Sequence, residues 1–183
     1  MSSQELSTVG LSRGFALRMG GVLAVTMLFL VILIGPGNLG YLSKAVAASH
    51  LHAPRWELLE QASIAIKIHL ATVLAALVLA TAQMVGPKGR TFHRVLGWTL
   101  SVLLVVTAIA SLFIRNPTGG LINPFQVFSV WTLFVVPLAV IMARRHNVRR
   151  HANMMAGLYF GALIFAGLLT FMPGRLMWRL FFG

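Results

Sequence analysis

Residues 67–88 read KIHLATVLAALVLATAQMVGPK. Between Lys67 and Lys88 stand twenty residues without a formal charge. At 1.5 Å of rise per residue, such a stretch spans a hydrocarbon core about 30 Å thick. That core offers the backbone no hydrogen-bond partners, so the stretch must satisfy its own and is expected to be helical. Gly86-Pro87 gives it a local stop. Working outward, four more uncharged windows appear at 19–43, 95–114, 116–143 and 152–174. Gly35-Pro36-Gly37-Asn38 closes the first, and Asn116-Pro117-Thr118-Gly119-Gly120 separates the next pair. Pro124 suits a helix start, and Pro173-Gly174 closes the last window. The expectation is an all-α, polytopic transmembrane helix bundle of about five spans. They fall near 15–34, 64–85, 93–114, 124–143 and 152–171, with a long outer loop over 35–63.

Composition agrees. Of 183 residues, 58% are hydrophobic and only 10% charged, against about 25% charged in a soluble domain. A soluble globule of this length cannot hide so much apolar surface. The chain reads as a single membrane domain, 1–183. Fifteen Lys and Arg face three Glu (Glu5, Glu57, Glu60) and no Asp, for a net charge of +12. In a membrane protein these cations flank spans and meet anionic headgroups, so no nucleic-acid partner is expected. With the N-terminus inside, nine cations fall on the inner side and six on the outer. The short Arg144–Arg150 loop weighs most, and the expected topology is N-terminus in, C-terminus out. Thirteen residues from Gly35 to Ala47, Lys44 among them, separate the first apolar stretch from a cleavage site after Ala45-Val46-Ala47, which suits an anchor better than a cleaved signal.

The absences narrow the chemistry. The chain has no Cys, hence no thiolate site or disulfide. No uncharged window holds a carboxylate, which weakens a proton-relay pump. HExxH, a di-iron Glu set and a phosphate-cradling Gly-rich loop are missing. Six His remain, with Tyr159 and Tyr41 as minor candidates.

His50, His52 and His69 fall toward the outer side, and His93, His146 and His151 toward the inner. At 100° per residue, Gln61, Ala65, His69, Thr72, Ala76, Ala80 and Gln83 share one face of the second span. Such small, polar stripes face neighbouring helices or a cavity more often than lipid. In the third span His93, Gly97, Leu100, Thr107, Ala108 and Ser111 share a face. In the last, His151 lies with Met154, Met155, Leu158, Ala162, Phe165 and Leu169, while Gly157 and Gly161 permit close helix contact.

Histidines near the ends of three helices suggest a cofactor-binding reading. A b-type haem is held by neutral imidazoles from facing helices. His93 and His151 form the candidate inner pair, with Arg94, Arg145, Arg149 or Arg150 for propionates. His69 is the outer candidate. His50-Leu51-His52, with His69, is a weak metal signal. The plainer alternative is that each His bonds a backbone carbonyl or a headgroup.

Two stretches carry a family resemblance. One is Lys67-Ile68-His69, then Gln83, Gly86-Pro87-Lys88-Gly89 and His93-Arg94-Val95-Leu96-Gly97-Trp98. The other runs from His151-Ala152-Asn153-Met154-Met155 to Pro173-Gly174-Arg175. Together they resemble a family of bacterial membrane proteins known only as a domain of unknown function. Members commonly carry Arg after the last-span His, where this chain has Ala152. The resemblance implies a multi-pass protein of the bacterial inner membrane and no settled activity. The placement of His in helices is also loosely similar to haem-bearing bundles of the cytochrome b and ferric-reductase type. Three functions stay open at this point. One is an electron-transfer protein with b-type haem. Another is a non-catalytic component binding lipid, a membrane-protein partner or a second copy of itself. The third is a small transporter or channel using the path past His69 and Thr72 toward Gln83.

Overall fold

A computed structural model describes residues 39–114 and 125–182. The chain divides into two compact units, 1–44 and 45–183. The expected span at 15–34 lies outside the described residues, as does Pro124. Helix α1 (Leu39–Ala47) crosses the boundary between the units. Within the expected loop 35–63, α1 and a short α2 (Trp56–Glu60) are helical.

The second unit is built on α3 (Ile64–Val85), α4 (Thr91–Leu112), α5 (Gln126–Arg144) and α6 (Val148–Leu169). Each is long and apolar enough to cross a membrane. No strand occurs among the described residues. α3 packs on α4, α4 on α5 and α5 on α6, and the middle of α6 returns to α3. α4 and α6 therefore stand on opposite sides of the four-helix ring. The chain reverses direction between successive helices, so one end of the ring carries His93 and His151 and the other carries His69.

Local chemistry sets the helix limits. Ser63 caps α3 by accepting from the Ile66 N–H at 3.4 Å. At the other end, a Cβ on Gly86 would stand 2.8 Å from the Ala82 carbonyl oxygen, so the exit has room only for glycine. α6 begins at Val148, earlier than the expected 152. The Asn147 side chain caps it by accepting from the Arg150 N–H at 3.2 Å, so the Arg-rich turn becomes the first turn of the helix. The preceding His146 has φ 57°, a left-handed turn conformation that His tolerates better than most residues. Pro137 lies inside α5. Its missing N–H frees a carbonyl one turn back, which spans tolerate where neighbours compensate.

Lipid is as apolar as Leu, so helix association relies on close packing rather than on hydrophobic transfer. Ala76 and Ala139 are completely buried, and Leu100, Leu104, Val136 and Leu158 form the core cluster with Ala76. In α6, residues Leu158–Phe165 form a π-helix. Each π turn shifts the helix face relative to a 3.6-residue period. Of the face expected from that period, Leu158 and Leu169 are buried and Ala162 packs against the core, while Gly161 and Leu163, outside that face, are buried as well. The π segment also carries Gly161 beneath Trp131, whose indole carbons lie 3.1 and 3.3 Å from where a Cβ would be.

Beyond α6 the chain turns and forms α7 (Leu176–Phe181). α7 docks on the segment before α2. His52 N–H donates to Phe181 O and Arg55 N–H to Leu180 O, both at 3.1 Å. The Arg55 guanidinium also donates to Arg179 O from Nη2 at 2.7 Å and from Nε at 3.2 Å. A cation thus satisfies a carbonyl at the C-terminal end of α7. Leu180 is buried in this contact.

Candidate histidine sites

His69 sits five residues into α3, about 7 to 8 Å along its axis. Its Nδ1 lies 3.0 Å from the backbone oxygen of Thr107 on α4. A carbonyl only accepts, so Nδ1 carries the proton and, in the neutral ring, Nε2 keeps its lone pair. The neighbouring hydroxyls form a chain. Thr107 Oγ1 donates to Thr72 Oγ1 at 2.8 Å, and Thr72 donates to Ile68 O at 2.8 Å. Ala76 and Ala80 continue the same face of α3 and are buried. At its far end Gln83 Nε2 donates to the His93 carbonyl at 3.0 Å. The small, polar stripe of α3 is therefore turned toward α4. Gly97 lies on this seam, where a Cβ would stand 3.5 Å from Gln83 Nε2, an ordinary contact.

At the other end of the ring, His151 Nδ1 lies 2.9 Å from Ala139 O on α5. The same logic protonates Nδ1 and leaves Nε2 unprotonated in the neutral ring. Among the described residues, Nε2 has no hydrogen-bond partner in either His69 or His151. His93, on the opposed α4, lies within electrostatic range of His151 and of Lys88. His93 and His151 thus fall at one end of the ring and His69 at the other. His50 is exposed, and His52 Nδ1 lies 2.7 Å from Ala53 O. Among the described residues, no three of His, Cys, Asp and Glu gather as a metal-binding group.

The His93–His151 end is strongly basic. Lys88, Arg90, Arg94, Arg144, Arg145, Arg149 and Arg150 are all exposed there. The carboxylates of the described residues, Glu57 and Glu60, belong to α2 at the other end. Arg144 lies 5.4 Å from the Trp98 ring centroid, which pins one cation against α4.

Several participants were hidden from the sequence. The acceptors for His69 and His151 are backbone oxygens, which no residue identity advertises. Tyr159, on the π segment, has its hydroxyl 3.1 Å from Thr81 Oγ1. Thr81 already donates to Leu77 O, so the tyrosine donates and ties α6 to α3. Trp131 over Gly157 and Gly161 joins α5 to α6.

These features define a polytopic α-helical membrane protein whose interhelical polar contacts centre on histidine, threonine and glutamine. Residues 66–181 match the model of the family described as predicted membrane protein (DUF2306), and the chain belongs to that family. No curated protein and no solved structure matches it.

Proposed function

We propose that this protein is a bacterial inner-membrane electron-transfer component that holds b-type haem at the His93–His151 end. The observation carrying this reading is that two imidazoles, on α4 and α6, stand at the same end of the ring within electrostatic range of each other. The donor set suits an iron porphyrin. His151 is anchored through Nδ1 to Ala139 O, which orients its ring and leaves Nε2 as the ligating atom. His93 would contribute the second ring from α4, where its backbone oxygen is held by Gln83. Arg94, Arg149 and Arg150 are exposed at the same end and would pair with propionates. A bound haem would supply a one-electron iron couple. His69, fixed in the same tautomer at the other end, is the candidate ligand for an outer site that needs a further ligand. The seven-cation rim favours the cytoplasmic side for the His93 end, facing anionic headgroups.

The test is an absorption spectrum of the full-length protein, expressed with haem supplied and purified in detergent. A Soret band is expected. His93→Ala and His151→Ala should each lower haem content at least about tenfold, while His146→Ala, an exposed control, should leave it unchanged. A colourless protein under haem supply, or His93→Ala and His151→Ala variants with the full spectrum, would overturn the proposal.

A further inference from the structure

We propose that Arg175, stacked on Phe125, holds the phosphate of a phospholipid at the His69 end of the bundle. The guanidinium carbon of Arg175 lies 3.8 Å from the Phe125 ring centroid. Among the described residues its side chain makes no hydrogen bond and no ion pair, although it is half-buried. Stacking engages one face of the guanidinium and leaves its edge, a fork of N–H donors, without acceptors. Burial pulls the Arg175 pKa below its ordinary value, which marks a cation taken partly out of water with no anion to compensate. The missing partner is therefore an oxyanion with two oxygens to offer such a fork.

The surroundings say which oxyanion. Arg175 lies six residues beyond the end of α6 at Leu169, past the apolar part of the helix. The same segment is rich in aromatic rings. Phe171 lies 6.1 Å from Phe181, and Trp178 lies 5.0 Å from Phe182. Aromatic clusters of this kind sit at headgroup depth. At that depth phosphate oxygens are the abundant acceptors. The site is distinct from the His93–His151 end and does not depend on haem.

The full-length protein in detergent is examined by native mass spectrometry. The probes are phosphatidylglycerol, diacylglycerol with the same chains, and inorganic phosphate. The wild type should retain phosphatidylglycerol and not diacylglycerol. Arg175→Gln should weaken retention at least about tenfold. Arg175→Lys, which keeps the charge but loses the fork, should fall between the two. Phe125→Leu removes the stack without touching the charge and should weaken binding several-fold; it carries the test if Arg175→Gln fails to fold. Equal retention of phosphatidylglycerol by wild type, Arg175→Gln and Phe125→Leu would overturn the proposal. So would equal retention of diacylglycerol. Binding of inorganic phosphate without binding of the phospholipid would also overturn it, by assigning the fork to a free anion.

Discussion

Three glycines of α6 make a graded probe of how α5 and α6 pack. A Cβ on Gly167 would meet nothing within 4 Å, and one on Gly157 would lie 3.8 Å from Trp131 Cη2, an ordinary contact. A Cβ on Gly161 would lie 3.1 Å from Cζ3 and 3.3 Å from Cη2 of the same indole. Carbon pairs are most favourable at about 3.5 to 4.0 Å. Gly161→Ala is thus short of room by about half an ångström, against the body of a ring rather than a flexible chain end. Overpacking of this kind costs about 1 to 3 kcal/mol. Replacing Gly by Ala in a helix returns up to about 1 kcal/mol at all three positions. Referred to Gly167→Ala, which shares that gain, Gly161→Ala should be less stable by about 1 to 3 kcal/mol, with Gly157→Ala close to the reference. The measurement is reversible unfolding in mixed detergent micelles, followed by far-UV circular dichroism. Trp131→Leu removes the two indole carbons, so in that background the difference between Gly161→Ala and Gly167→Ala should vanish. Equal stability of Gly161→Ala and Gly167→Ala in the wild-type background would refute the packing account, as would a difference that survives Trp131→Leu.

Two further substitutions test the α3–α4 seam and the α3 exit by the same unfolding assay. Thr107→Val removes the hydroxyl that donates to Thr72 but keeps the carbonyl that accepts from His69. It should cost about 0.6 kcal/mol, the average for interhelical hydrogen bonds in membranes, and a loss above about 2 kcal/mol would mean that His69 is also released. Gly86→Ala forces a Cβ against the Ala82 carbonyl oxygen, a backbone atom that cannot swing aside. It should destabilise by about 1 to 3 kcal/mol, and a neutral result would place the chain exit elsewhere.

The sequence was most informative where structure is decided locally. α3 runs from Ile64 to Val85 as expected, because its cap at Ser63 and its stop at Gly86-Pro87 are both written within a few residues. The expected start of α6 at 152 is four residues late, because charge does not mark the edge of this helix. Arg149 and Arg150 instead occupy its first turn behind the Asn147 cap. The inward face of α3 followed from a 3.6-residue period, and Ala76 and Ala80 lie on it. In α6 the same period gives Leu158 and Leu169 but not the buried Leu163, since a π turn leaves no mark in the spacing of apolar residues. The anchoring of His69 and His151 is not legible in the sequence, because Thr107 O and Ala139 O belong to the backbone of other helices. The contact of Trp131 with Gly161 and that of Arg175 with Phe125 join distant parts of the chain, and only the fold brings them together.

The anchoring itself bears on why these positions carry histidine. Tying one helix to a neighbour's carbonyl needs one donor. Elsewhere in this bundle hydroxyls and an amide do that job: Thr107 and Tyr159 donate to threonine oxygens, and Gln83 donates to a carbonyl. His69 and His151 each spend one nitrogen in the same way. What the imidazole adds is a second nitrogen on a rigid ring, its lone pair kept by the bond the first nitrogen makes. A hydroxyl or an amide would tie the helices equally well and leave no such ligand. With no carboxylate or thiol in α3 to α6 to serve as an alternative, that second nitrogen is the strongest ligand the spans offer. The helix seams at the two ends of the bundle thus spend one nitrogen of each ring on closing the bundle and leave the other with its lone pair.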